Sequence, residues 1–143
     1  MNEPRRIRVL IADDFKVLRD VIRLYVERAQ DMEVIDEARD VTDAFESARA
    51  LRPDVIIMND YLPPIDSAHA SALFREQGFT AAILVISMQI DPAQIQSSFL
   101  SGANGFMNKA EIEEYLAVAI RSVHQGERYL SPKARDAYSS IEQ

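Results

Sequence analysis

The side chains best suited to handle a charged ligand are the adjacent carboxylates Asp13 and Asp14, the run Asn59-Asp60-Tyr61, the hydroxyl of Ser87 and the ammonium of Lys109. Each group closes a short apolar run. Two neighbouring carboxylates are an electrostatic burden: at ~4 Å and an effective dielectric of about 20 they repel by roughly 4 kcal/mol. A hard divalent cation with oxygen ligands, such as Mg²⁺, relieves that repulsion, and so does plain exposure to water or a place at a helix start. Taken singly, Lys109 reads as a solvated surface lysine and Ser87 as an ordinary hydroxyl before a helix. Their meaning depends on the elements that carry them.

Those elements alternate between strand-like and helix-like periodicity. Ile7–Ala12 is an apolar run suited to a strand covered on both faces, and Asp14 is placed to cap a helix burying Leu18, Val21, Ile22 and Tyr25. Glu33–Ala38 alternates as a strand nearer an edge would. Asp40 can cap a helix that turns Val41, Ala44, Phe45 and Ala48 inward, and Pro53 stops it. Asp54–Met58 is the most continuously apolar strand and is expected at the centre. A rigid Leu62-Pro63-Pro64 loop precedes a weaker helix from about Ser67 to Gln77. Ala81–Ser87 is another buried strand, and Asp91-Pro92 opens a helix with Ile95, Phe99 and Leu100 inward. Gly105-Phe106-Met107 makes a short fifth strand. A last helix from Glu111 buries Ile112, Leu116, Ala119 and Val123 before Gly126, and Ser131-Pro132 starts another. The pattern predicts an α/β fold: a flavodoxin-like, doubly wound, five-stranded parallel sheet with helices on both faces.

In such sheets ligands bind beyond the carboxyl ends of the strands, and that is where Asp13-Asp14, Asn59-Asp60-Tyr61, Ser87 and Asn108-Lys109 fall. The combination of ADD after the first strand, an LP block after the third, a hydroxyl after the fourth and GANGFMNK after the fifth resembles the receiver domains of response regulators. GANGFMNK followed by EIEEYLAVAIRSVHQGERYLSP resembles in particular the branch whose receivers precede a LuxR-type helix-turn-helix domain; no such domain follows in these residues. The likeness spans about Arg5 to Gly126. It implies a receiver domain over 5–126 and a C-terminal linker with a short helix over 127–143. It also implies Mg²⁺ held by Asp13, Asp14, position 59 and the backbone carbonyl of Tyr61, with Ser87 and Lys109 contacting a phosphoryl group and Phe106 as a switch aromatic. Read without the family, Phe106 is a core aromatic on an edge strand. The chemistry is coherent, because phosphoryl transfer needs charge stabilised on the moving oxygens.

One departure bears directly on function. Counting four residues back from Pro63, the phosphoacceptor position is Asn59. A carboxamide cannot form the acyl phosphate that a carboxylate can, so phosphorylation is expected to be lost or blocked and Mg²⁺ binding weakened. Asp60 is adjacent, but strand alternation aims it away from the pocket. The asparagine suits both an atypical receiver that works without phosphate and the replacement of a conventional aspartate. Ser67, after Asp66, is a milder deviation where many relatives carry glycine. His69 and His124 read as surface helix residues, and Met58, Met88 and Met107 as core fillers.

The bulk numbers set the outer limits. The 143 residues suffice for one domain, and 48% hydrophobic with 27% charged residues describes a globular chain rather than a disordered one. No apolar run reaches the ~18 residues of a membrane span, and MNEPRRIRVL lacks the features of a signal peptide. There is no cysteine, which is compatible with a cytoplasmic location. A net charge of −7 and a pI near 4.8 argue against direct nucleic-acid binding. Within those limits the resemblance implies a regulatory, non-enzymatic receiver, with a histidine kinase or other signalling protein as partner and homodimer formation compatible with it. Two rivals share the topology: a small flavin- or nucleotide-binding domain, which would want a glycine- or hydroxyl-rich loop where DDFKV stands, and a haloacid-dehalogenase-like Mg²⁺-dependent phosphatase, which would want aspartate where Phe15 stands.

Overall fold

The computed structural model describes residues 5–139; Met1–Pro4 of the amino terminus and residues 140–143 of the expected linker lie outside the described residues. The elements run β1 (Ile7–Ala12), α1 (Lys16–Arg28), β2 (Met32–Ala38), α2 (Val41–Leu51), β3 (Val55–Asn59), β4 (Tyr61–Leu62), β5 (Ile65–Asp66), α3 (Ser67–Glu76), β6 (Ala82–Ser87), α4 (Pro92–Leu100), β7 (Gly105–Asn108), α5 (Ile112–His124), β8 (Tyr129–Leu130) and α6 (Pro132–Ser139), with a single 3₁₀ turn at Lys109–Glu111. The main sheet is parallel with strand order β2-β1-β3-β6-β7-β8. β2 lies at one edge and β3 at the centre, as the apolar patterns predict.

Strand alternation divides the interior into two layers. Leu10, Ala12, Ile56, Met58, Ile83, Val85 and Phe106 face α2, α3, α4 and α6. Val9, Ile11, Val55, Ile57, Leu84, Ile86 and Met107 face α1 and α5. Each fully buried Leu, Ile or Phe contributes roughly 1.5–3 kcal/mol, so these two layers supply most of the driving force that fixes the strand ends. Asp40 and Asp91 cap α2 and α4 by accepting from the backbone N–H of Asp43 and Ala93.

Several local expectations are corrected. The sheet has six strands among the described residues, not five, because Tyr129–Leu130 pairs with Gly105 and Phe106. β7 is therefore internal, and Phe106 sits on no edge. The Leu62-Pro63-Pro64 loop is a two-residue antiparallel hairpin, β4 with β5, containing a cis Pro63–Pro64 peptide. Asp14 does not cap α1: Phe15 holds that position, and it is Asp13 Oδ1 that accepts from the Phe15 N–H at 2.8 Å. Val21 lies a third of a turn off the Arg19–Ile22–Val26 stripe and is partly exposed, and Leu100, at 82% exposure, lies outside the Ile95–Phe99 stripe. Met88 is 76% exposed and fills no core, whereas Met58 and Met107 are fully buried. Residues 127–139 pack on the body: Tyr129, Ser131 and Ala134 are buried, and the Tyr138 ring meets Phe99 edge-on at 6.0 Å.

Candidate functional site

The chain reverses direction of winding at β1: β2 lies on one side and β3 on the other, so the crevice for a ligand opens where β1 and β3 end. Asp13 and Asn59 stand there. Asp13 continues the Val9–Ile11 alternation and Asn59 the Val55–Ile57 alternation, which puts both on the α1/α5 side. Asp13 is buried, and burial pushes its carboxyl above the usual carboxylate range; the Phe15 N–H and the charge of Lys109 pull it back only in part, and Asp14 adds to the rise. Asp14 itself is exposed. Arg19 fixes the backbone of this corner. Its guanidinium, buried with the helix stripe, donates to the Asp13 carbonyl at 2.8 Å and to Glu37 at 2.9 Å. Nothing in the sequence patterns separates Arg19 from an outward-facing helix arginine, so that role was not legible.

Asn59 is the unusual member. Its Nδ2 donates to the Tyr61 carbonyl at 2.9 Å, while its Oδ1 is buried with no hydrogen-bond partner among the described residues. An orphaned buried acceptor costs about 1–3 kcal/mol, which marks it as a group awaiting a donor or a cation. No three acidic or imidazole groups converge anywhere among the described residues. The oxygens present are two carboxylates, one amide oxygen and one carbonyl, a set that fits a hard divalent cation with fewer charges than such ions prefer. Asp13, Asp14, Asn59 Oδ1 and the Tyr61 carbonyl would hold Mg²⁺, which when bound would neutralise the oxygens of a phosphoryl group. The Asn59–Tyr61 hydrogen bond competes for the same carbonyl.

Ser87 falls on the opposite face. It continues the Ile83–Val85 alternation toward α3 and α4, and so does Asp60 relative to Met58. As strand alternation requires, Asp60 points away from Asn59; the residue it meets is Ser87, whose Oγ donates to Asp60 Oδ2 at 2.8 Å. Asp60 is thus turned away from Asn59 as expected, toward the face that carries Ser87. Lys109 follows β7 and acts on Asp13 through its charge. Phe106 is fully buried on the Ser87 side. His69, at the first turn of α3, pairs with Asp66 at 2.7 Å and is exposed, as is His124. A cavity of about 480 Å³ opens at the other end of the sheet beside Arg49, Arg52, Gln77 and Phe79 and shares no residue with this corner.

An open parallel sheet with an acidic crevice at its switch point and a lysine after β7 is the doubly wound α/β arrangement expected of a receiver domain. Comparisons with known proteins agree. A sequence profile of the response regulator receiver domain matches residues 9–121, and the chain belongs to that family. It is 32% identical over 128 residues to the oxygen regulatory protein NreC of Staphylococcus carnosus (strain TM300), covering 89% of this chain and 59% of that one; the chain thus spans well under two thirds of that relative's length. It superposes on a LuxR-family two-component response regulator from Aurantimonas sp. SI85-9A1 with a TM-score of 0.91, 27% identity and coverage of 96% and 98%. The signal receiver domain of the putative response regulator NarL from Mycobacterium tuberculosis matches with a TM-score of 0.74, 27% identity and coverage of 82% and 98%.

Membership in that family leaves the flavin-binding and dehalogenase-like rivals without support. The loop after β1 also turns against a phosphate cradle, since the Phe15 N–H already serves Asp13. No helix among the described residues is long and apolar enough to cross a membrane.

Proposed function

We propose that this chain is the regulatory receiver of a two-component system in which phosphoryl transfer is lost at position 59. The observation that carries the reading is Asn59 itself: it stands beside Asp13 at the switch point, its amide nitrogen engaged by the Tyr61 carbonyl and its oxygen unpartnered. In an aspartate the carboxylate oxygen would attack phosphorus as the bond to the donor's leaving group breaks, a P–N bond in a phosphohistidine and a P–O bond in acetyl phosphate. A neutral amide oxygen makes no stable equivalent. Mg²⁺ binding that is weak and dependent on Asp13 and Asp14 follows from the missing anionic ligand. Ser87 and Lys109 would contact a phosphoryl group, and Phe106 would sit at the switch position.

The upstream partner on this reading is a histidine kinase or another signalling protein. Downstream stands a DNA-binding output domain of the LuxR type, with a second copy of the chain as a further partner, all within the cytoplasm. Residues 5–126 form the receiver and 127–143 the connector, of which the described part, 127–139, docks against β7 and α4.

The test is phosphoryl transfer from acetyl phosphate with Mg²⁺, read by intact-mass spectrometry. Asn59→Asp changes side-chain volume little and should leave the fold intact. A phosphoryl adduct is expected on Asn59→Asp and not on the parent chain. An adduct on the parent would make Asp60 the acceptor, and none on either would show a pocket that no longer supports the chemistry.

A further inference from the structure

A line of hydrogen bonds leaves the switch-point corner and ends at the C-terminal helix. It starts at Asp60, whose own backbone is held twice, its N–H donating to the Ile86 carbonyl at 3.0 Å and its carbonyl accepting from the Ser67 N–H at 2.8 Å. Asp60 Oδ2 accepts from Ser87 Oγ, and that hydroxyl in turn accepts from the Gln89 N–H at 3.1 Å, so turning the Ser87 hydroxyl toward another acceptor gives up its bond to Asp60. The Asn108 side chain reaches across from β7: Nδ2 donates to the carbonyls of Ser87 at 3.3 Å and Met88 at 3.2 Å, and Oδ1 accepts from the Ala110 N–H. The Asn108 N–H donates to Ser131 Oγ at 3.2 Å. Ser131 is fully buried, its N–H donates to the Phe106 carbonyl at 3.2 Å, and its carbonyl accepts from the Arg135 N–H at 2.8 Å in the first turn of α6.

We propose that Asp60 is a fixed anionic anchor, and that Asp60–Ser87–Asn108–Ser131 couples the switch-point corner to the start of the C-terminal helix. Two features favour a coupled unit over four separate contacts. Ser87, Asn108 and Ser131 are all buried, where an unmade hydrogen bond costs most and its neighbours must rearrange together. The line also runs across neighbouring strand ends, from the residue after β3 to the last residue of β6, on to the last residue of β7 and then to the junction of β8 with α6, so side-chain bonds add to the backbone pairing of Ser87 with Asn108. The inference rests on reading this edge of the sheet as the regulatory site. It does not need phosphorylation, so a failed acetyl phosphate experiment leaves it standing, and the reverse holds as well.

Amide hydrogen exchange on the full chain tests it, with core strand amides such as Ile56 as the internal reference for global stability. Asp60→Ala is expected to speed exchange at Gln89, Asn108 and Arg135 by about fivefold or more over that reference. Ser87→Ala removes the same bond from its other side and serves if the first variant folds poorly; it should give the same set of amides. Combining Asp60→Ala with Ser131→Ala should add less than the sum of the single effects. Acceleration confined to Gln89, with Asn108 and Arg135 at parent rates, would overturn the coupling, as would a uniform rise across the core or fully additive effects.

Discussion

Arg75 at one end of the sheet and Asn59 at the other are both partly buried polar side chains, and their surroundings differ in kind. The Arg75 guanidinium donates to the carbonyls of Phe79, Ala81 and Gly102 and to Asn104 Oδ1, all between 2.8 and 3.1 Å. Burial lowers its pKa, yet its neutral acceptors are aimed at it from the segments entering β6 and β7. Asn59 leaves an oxygen unpaired, and beside it Asp13 is held above the normal carboxylate range by burial. The first end is completed by the protein. The second leaves an acceptor unpaired among the described residues, which is what the proposed ligand site requires.

The largest effect should come from breaking the completed end. Arg75→Met leaves part-buried carbonyls without their side-chain donor and should cost about 3 kcal/mol in urea unfolding, while leaving Mg²⁺ binding at the far end unchanged. Gly102→Ala should cost somewhat less, about 2 kcal/mol, because the added carbon would lie 2.6 Å from Arg75 Cγ at a backbone φ of +110°.

At the incomplete end the sign reverses. Asp13 has a raised pKa in the folded state, so the folded chain takes up its proton more readily than the unfolded one. Stability from this group therefore falls as pH rises from the ordinary carboxylate value through the raised one, and the penalty is complete above it. Asp13→Asn in metal-free buffer should stabilise the protein at neutral pH by about 1 kcal/mol, and the gain should vanish below about pH 4. A loss of stability at neutral pH would mean that Asp13 is a structural residue after all.

How much of this was legible in the sequence follows from what each pattern encodes. The strands and their carboxyl-end residues were legible because burial on both faces demands apolar runs, and Ile56 and Leu84 have no other reading. The two-layer split was legible too, and it placed Asp60 opposite Asn59. What lay at the other end of that alternation was not, since the Asp60–Ser87 contact depends on how β3 and β6 register, which no local period reports. The sixth strand was missed because Tyr129–Leu130 is too short to show a period and gains its place only by pairing with β7. The roles of Arg75 and Arg19 were not legible because most of their partners, the carbonyls of Phe79, Ala81, Gly102 and Asp13, are backbone groups that leave no trace in a sequence.

Thermal unfolding with and without Mg²⁺, compared across the parent chain, Asn59→Asp and Asp13→Asn, tests most directly whether the switch-point corner is held open for a ligand. A ligand that binds only the folded state raises its stability in proportion to affinity. Mg²⁺ should raise the Tm of the parent slightly, that of Asn59→Asp clearly more, and that of Asp13→Asn not at all. Equal shifts in all three would place the ion elsewhere on the surface and contradict the assignment of this corner.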